Sequence, residues 1–188
     1  MFNFSKKEIL SFLGVLLVIG VITYANVLIS YRNDRDTQRN LDISAIATGI
    51  EKYKSEYGTY PLSSSDGVIL ACRGENTSVV RDKAGKPVME SGAKKNKIQN
   101  YVACKWGVDW LGDIDDENYP KYLTVIPEDP QGEKGVSYRY ESDGTTYKIY
   151  ASYEGKTISD YSENIVSLKV SCGVRVCNVG RETGIKII

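Results

Sequence analysis

Four cysteines carry the most definite chemistry in this chain: Cys72, Cys104, Cys172 and Cys177. An even count in a chain of this size invites pairing in an oxidising compartment, and four cysteines allow three pairings. Joining nearest neighbours would close loops of 32 and 5 residues, worth about 3.7 and about 2 kcal/mol by chain entropy alone. The long loop would tie down a stretch poor in regular structure, the short one the region near the C-terminus. Zinc held by four thiolates would need close C-x2-C spacing twice over, which is missing, as is any redox Cys-x-x-Cys. Structural disulfides are the expectation. There is no histidine, which removes His-ligated metal sites, Ser–His and Cys–His catalysis and a histidine proton shuttle. No Gly-x-Ser-x-Gly, no phosphate-cradling glycine loop and no supportable carboxylate pair occurs. No enzyme, catalytic residue or cofactor is expected.

Two charged stretches remain. Asp109, Asp113, Asp115, Asp116 and Glu117 stand together without a base. Of these, Asp113, Asp115, Asp116 and Glu117 form a weak calcium candidate, since calcium takes oxygen ligands but the spaced Asp-x-Asp-x-Asp-Gly loop is absent; no metal is assigned. Arg81, Lys83, Lys86, Lys94, Lys95 and Lys97 oppose Asp82 and Glu90, a local excess of four positive charges. DNA would meet such a patch with stacking aromatics, and only Tyr101 and Trp106 lie near. A solvated loop or complementarity between subunits is the plainer reading. Trp106 and Trp110 read as packing residues.

The elements that position these residues follow from hydropathy. The chain has 188 residues with 24 Lys+Arg and 24 Asp+Glu, so bulk electrostatics does not hold it to nucleic acid. Hydrophobic residues make up 41% and charged ones 26%, a folded rather than disordered composition. Residues 9–31 contain no charged side chain. As a helix they span about 35 Å, enough to cross a bilayer. The run is too long for a signal-peptide core, and no small-residue cleavage site closes it; a buried structural helix rarely carries so many consecutive apolar residues. Lys6 and Lys7 before the run place the N-terminus in the cytoplasm and everything after residue 31 outside, where disulfides form. Further on, Ile43, Ile46, Ile50, Tyr53 and Tyr57 recur at 3,4,3,4 spacing, one stripe of a helix. Gly58 and Pro61 end it, and Gly49 weakens it by about 1 kcal/mol relative to alanine. One continuous helix over residues 5–57 is expected, roughly 80 Å long. Residues 59–120 read as a loop region with short elements and 121–188 as an antiparallel sheet. Residues 136–142 alternate, Asp143-Gly144 supplies a two-residue turn, residues 146–151 return as a second strand, and 165–170 form a third. The helix stripe covers this small sheet, giving an α+β domain.

Three stretches resemble a known family. Phe4-Ser5-Lys6-Lys7-Glu8 heads the apolar run. Arg35-Asp36-Thr37-Gln38-Arg39 leads through Asp42-Ile43 to Tyr57-Gly58-Thr59-Tyr60-Pro61. Leu123-Thr124-Val125-Ile126-Pro127-Glu128-Asp129-Pro130 precedes Gly135 and the tyrosine-rich hairpin. In order and spacing the chain resembles the type IV pilins and the related pseudopilins of type II secretion. The resemblance implies a pilin-like fold: residues 1–3 as a short leader, 4–31 as the transmembrane half of the helix, 32–58 as its amphipathic half, and 59–188 as the exported domain. It implies processing between Asn3 and Phe4 by a prepilin peptidase, where Asn3 stands in place of the family's glycine, and methylation of the new Phe4 amine. Lys6 and Lys7 occupy positions that are apolar in the family. Glu8, costly at the edge of hydrocarbon unless paired or neutralised, is implied to pair with the Phe4 amine of a neighbouring subunit; the alternative is a headgroup-level helix charge. The implied partners are a homo-oligomeric helical filament, inner-membrane assembly machinery and membrane lipid before assembly, with DNA a lesser candidate. The implied place is the bacterial cytoplasmic membrane and then the cell surface, in adhesion, motility or DNA uptake. A secretion pseudopilus is the nearest alternative. From another class comes a membrane-tethered monomeric binding domain.

Overall fold

The computed structural model describes residues 5–89, 95–114, 118–156, 161–183 and 185–187, the last three as backbone. Helix α1 runs Lys6–Tyr57 without a break, 52 residues or about 78 Å. Ser5 begins it through a capping box: the Ser5 Oγ accepts the Glu8 N–H at 3.3 Å, and the Ser5 N–H donates to Glu8 Oε2 at 2.7 Å. Gly58 ends it at φ 80°, its N–H donating to the Lys54 carbonyl, a left-handed cap only glycine adopts freely. An 18-residue window within α1 has a mean hydropathy of 2.4 and no buried residue, so its first half is long and apolar enough to cross a membrane.

Burial starts at Asp36 and follows one stripe through Arg39, Ile43, Ile46, Ile50, Tyr53 and Tyr57. Below it lie short antiparallel elements. Strands β1 (Leu62–Ser63), β2 (Ile69–Cys72) and β5 (Val102–Ala103) form one sheet, and β3 (Ser78–Val79) pairs with β4 (Ile98–Gln99). The larger sheet has the order β11-β10-β7-β6, from β6 (Arg139–Ser142), β7 (Tyr147–Ala151), β10 (Val179–Glu182) and β11 (Ile185–Ile187). Strands β8 (Ser171–Cys172) and β9 (Arg175–Val176) make a small ribbon. The stripe and the inner faces of β2 and β7 share one core, rich in Ile and Tyr. The architecture is α+β, a long N-terminal helix on small antiparallel sheets. At Gly49 a Cβ would stand 2.6 Å from Leu123 Cγ: the glycine that weakens the helix lets Leu123 pack against its backbone.

Two expectations are corrected. Residues 165–170 are not the third strand; Glu163–Ser167 forms helix α2 with Ile165 buried and Leu168 exposed. A short apolar run fits either period, and here only one residue of the turn faces inward. The third strand is β10, with Val179 opposite Ala151. The β6–β7 turn is also longer than two residues. Ser142 pairs with Tyr147, leaving residues 143–146 as the loop. A two-residue Asp-Gly turn needs positive φ at both positions, and only Gly144 has it, at 88°. The Asp143 carboxylate instead accepts the Thr145 and Thr146 N–H groups at 2.8 Å each.

Both nearest-neighbour disulfides form. Cys72–Cys104 has its Cα atoms 5.1 Å apart and Cys172–Cys177 5.2 Å. The first ties β2 to the residue after β5; the second closes the β8–β9 ribbon. Replacing Cys72 and Cys104 together by alanine should cost about 3 kcal/mol, lowering the melting temperature by about 9 °C in non-reducing calorimetry. An unchanged transition would mean that the irregular region holds itself.

Candidate functional site

The stripe on α1 that buries Ile43 to Tyr57 continues toward the apolar half as Asp36 and Arg39, in the same 3,4 spacing. These two charged side chains are fully buried. A guanidinium has five N–H donors in a planar fork, and all five of Arg39 are matched. Nε donates to Asp129 Oδ2 at 2.7 Å and Nη2 to Asp129 Oδ1 at 2.9 Å, a bidentate pair. Nη1 donates to Asp36 Oδ1 at 2.8 Å and Glu154 Oε1 at 3.0 Å. The second Nη2 bond goes to Gln131 Oε1 at 3.1 Å. Arg35, one turn earlier, forks onto Glu154 at 2.6 and 2.7 Å.

The acids are held by backbone as well. Asp36 accepts the N–H groups of Glu154 and Gly155 at 2.9 Å each, and Asp129 that of Gln131 at 2.8 Å. Asp42, one turn further along, accepts Tyr138 Oη–H at 2.6 Å and Gln38 Nε2–H at 2.7 Å. Asp129 comes from the Pro127–Pro130 segment and Glu154 from the chain just after β7, so the cluster clamps two remote segments onto one helix face. Burial works against the charged form of Arg39, yet the hydrogen bonds and charge of Asp129, joined by those of Glu154 and Asp36, raise its pKa. Hydrogen bonding to Arg35, joined by Arg39, holds the Glu154 carboxyl down at about 2. Burial and the bond to Asp42 raise the Tyr138 phenol.

The depressed Glu154 carboxyl sets a direction with pH. An unfolded glutamate titrates near 4.3, so the Glu154 contribution is whole above that value and is lost as pH falls toward about 2. Melting temperature should therefore fall more steeply between roughly pH 4.3 and pH 2 in the native chain than in Glu154→Gln. Parallel slopes would contradict the pairing.

The remaining expected residues are placed as follows. Phe4 and Asn3, with Lys94, Asp115, Asp116 and Glu117, lie outside the described residues. Glu8 sits in the capping box at the N-terminal end of α1, far in sequence from the cluster. Asp113 is buried, receives Lys95 Nζ at 2.6 Å and accepts Tyr57 Oη–H at 3.1 Å. Lys95 also lies 3.6 Å above the Tyr119 ring, so it is drawn inward from the basic stretch. Asp109 accepts the Lys105 N–H. Among the described residues no group of three or more His, Cys, Asp or Glu side chains is placed to hold a metal. Arg81, Lys83, Lys86 and Lys97 are exposed. Tyr101 and Trp106 pack at the core's edge, Trp106 edge-on to Tyr138 at 6.1 Å. Trp110 lies beneath Lys121 Nζ, 4.8 Å from its ring centre.

In the sequence Arg35, Arg39 and Asp129 stand out only as parts of motifs, and nothing local singles out Glu154. The available signal was the stripe: two opposite charges at apolar-stripe positions, three residues apart, mark a buried pair whose further partners must come from elsewhere in the chain.

Compared with family models, curated proteins and solved structures, the chain matches none of them.

Proposed function

We propose that this chain is a pilin-like subunit that waits in the cytoplasmic membrane through the first half of α1 and then polymerises into a surface filament. The observation that carries the reading is the division of α1. Its second half is fixed on the domain by the Ile/Tyr stripe and the Arg39 cluster, whereas its apolar half is exposed along its length, with none of its hydrophobic window buried. An apolar surface of that length is covered by lipid or by other helices. A subunit moving from membrane to filament uses both covers in turn. The order of Phe4, Glu8, apolar run, amphipathic helix and cysteine-stapled domain supports the same reading through the resemblance to type IV pilins. The Arg39 cluster suits it mechanically, because a pull on the helix is passed to the domain through buried bonds rather than a flexible linker.

In this reading the helices of neighbouring subunits pack along their apolar faces, Phe4 and Glu8 set the register, and the domain faces outward. The test is fractionation of producing cells into sheared surface material and membranes, with intact mass measured in both. A subunit appears in bulk in the sheared fraction as a species beginning at methylated Phe4. A chain confined to membranes and starting at Met1 or Phe2 would be a tethered monomer, and the filament reading would fall.

A further inference from the structure

A third arginine stands beside the ion-paired cluster, and among the described residues its Nε has no partner. Arg32 is the first charged residue after the 9–31 run and precedes Asp36 by one helical turn. It is half-buried, and its Nε lies out of solvent with no hydrogen-bond partner. Lys156 follows Gly155, whose N–H holds the Asp36 carboxylate at 2.9 Å, and Lys156 is exposed. Among the described residues neither cation enters an ion pair, whereas Arg35 and Arg39 are both matched. Asp34, the acid of the same turn outside the cluster, stands two residues on from Arg32, about 200° around the helix.

The Nε is closed off from solvent, so the charge of this half-exposed guanidinium is offered outward through its Nη groups, and a phosphate oxygen is the acceptor that a guanidinium fits best. The 9–31 run is about as long as the hydrocarbon is thick, so its first following charge falls at headgroup level. We propose that Arg32 and Lys156 bind the phosphate of an anionic phospholipid headgroup, forming a lipid collar where α1 leaves the bilayer. The inference rests on the membrane-spanning reading of α1. It gives the resting subunit a defined depth in the membrane, which extraction into a filament must undo.

The test uses the full chain in detergent micelles, in a Lys6→Gln/Lys7→Gln background so that the lysines of the opposite end add no charge. Native mass spectrometry counts phosphatidylglycerol against phosphatidylcholine retained per chain. Each cation near an anionic lipid is worth about 5-fold, so a preference for phosphatidylglycerol of about 25-fold is expected. Adding Arg32→Gln and Lys156→Gln should bring it to within about 3-fold of parity, with phosphatidylcholine uptake unchanged as the sign of intact folding and insertion. Equal retention of both lipids before that change, or a preference that survives it, overturns the proposal. An excess of inorganic phosphate that abolishes the preference would make free anion the ligand and overturn the headgroup assignment. A chain that enters no micelle fails as a membrane protein, which is distinct from one that enters and shows no headgroup preference.

Discussion

Arg39→Ala should lower the melting temperature of the folded chain by about 12 °C. Removing the guanidinium leaves Asp36 and Asp129 buried with no opposing charge between them, Gln131 short of a donor, and Glu154 held by Arg35 alone. Breaking a buried pair from one side costs about 3–5 kcal/mol, and in a domain of this size each kcal/mol moves the transition by roughly 2–4 °C. Arg39→Lys keeps the charge but cannot make the fork to Asp129 and the other bonds together, so its loss should be about half as large. The check is calorimetry of both variants against the native chain. A drop under about 3 °C for the alanine variant would mean that the clamp contributes little to holding helix and domain as one body. The expected fall does not mean that the cluster makes this fold more stable than an apolar replacement would, since desolvation offsets much of the Coulomb gain. What the cluster supplies is position, because five directed bonds admit one angle of helix against domain.

Glu8→Ala should remove the chain from the sheared surface fraction, by about 100-fold or more, while its amount in the membrane stays within about 2-fold. The figure follows from losing one side of the proposed ion pair in a low-dielectric contact between subunits, about 3–5 kcal/mol, where each 1.4 kcal/mol is tenfold. Within its own chain the Glu8 carboxylate already accepts the Ser5 N–H at 2.7 Å. The capping box and a neighbour's amine would therefore draw on the same carboxylate, whose two oxygens have acceptor capacity for both. Ser5→Ala separates the roles, since it removes the Oγ half of the cap, worth about 1 kcal/mol, and leaves the Glu8 charge. The expected result is a small loss for Ser5→Ala and a near-complete one for Glu8→Ala. Equal losses would mean that Glu8 acts only by starting the helix, and the register role would be withdrawn. Immunoblots of both fractions from cells making each variant decide between these outcomes.

What could be read in advance depended on whether a feature was local. The length of α1 was legible because its signals are consecutive: an uncharged run, a 3,4 stripe and a glycine stop, each acting within a few residues. The disulfides were legible as chemistry, although spacing left three pairings open. The β6–β7 turn was half legible. Asp143-Gly144 does mark it, but the Asp143 carboxylate bonds the chain beyond it and lengthens the loop to four residues. The 165–170 run misleads because a few apolar residues fit either period, and tertiary packing selects the helical turn. The Arg39 cluster was hidden for another reason. Asp129 lies 90 residues from Arg39, and Glu154 lies 115 away, so no local pattern joins them. Only Asp36 and Arg39, at stripe positions where an apolar side chain belongs, pointed to a buried pair. The basic stretch illustrates the same limit: Lys95 belongs to it by sequence, yet in the fold it turns to Asp113 and Tyr119.

Cryo-electron microscopy of the sheared surface fraction from cells making the full chain decides whether the subunit polymerises through α1. Filaments are expected with a core of long α-helices packed about 8–10 Å apart, each continuing into a domain on the outside, with Glu8 close to the Phe4 amine of a neighbouring helix. A sheared fraction without such filaments, with the chain retained in the membrane as a monomer, would contradict this polymerisation.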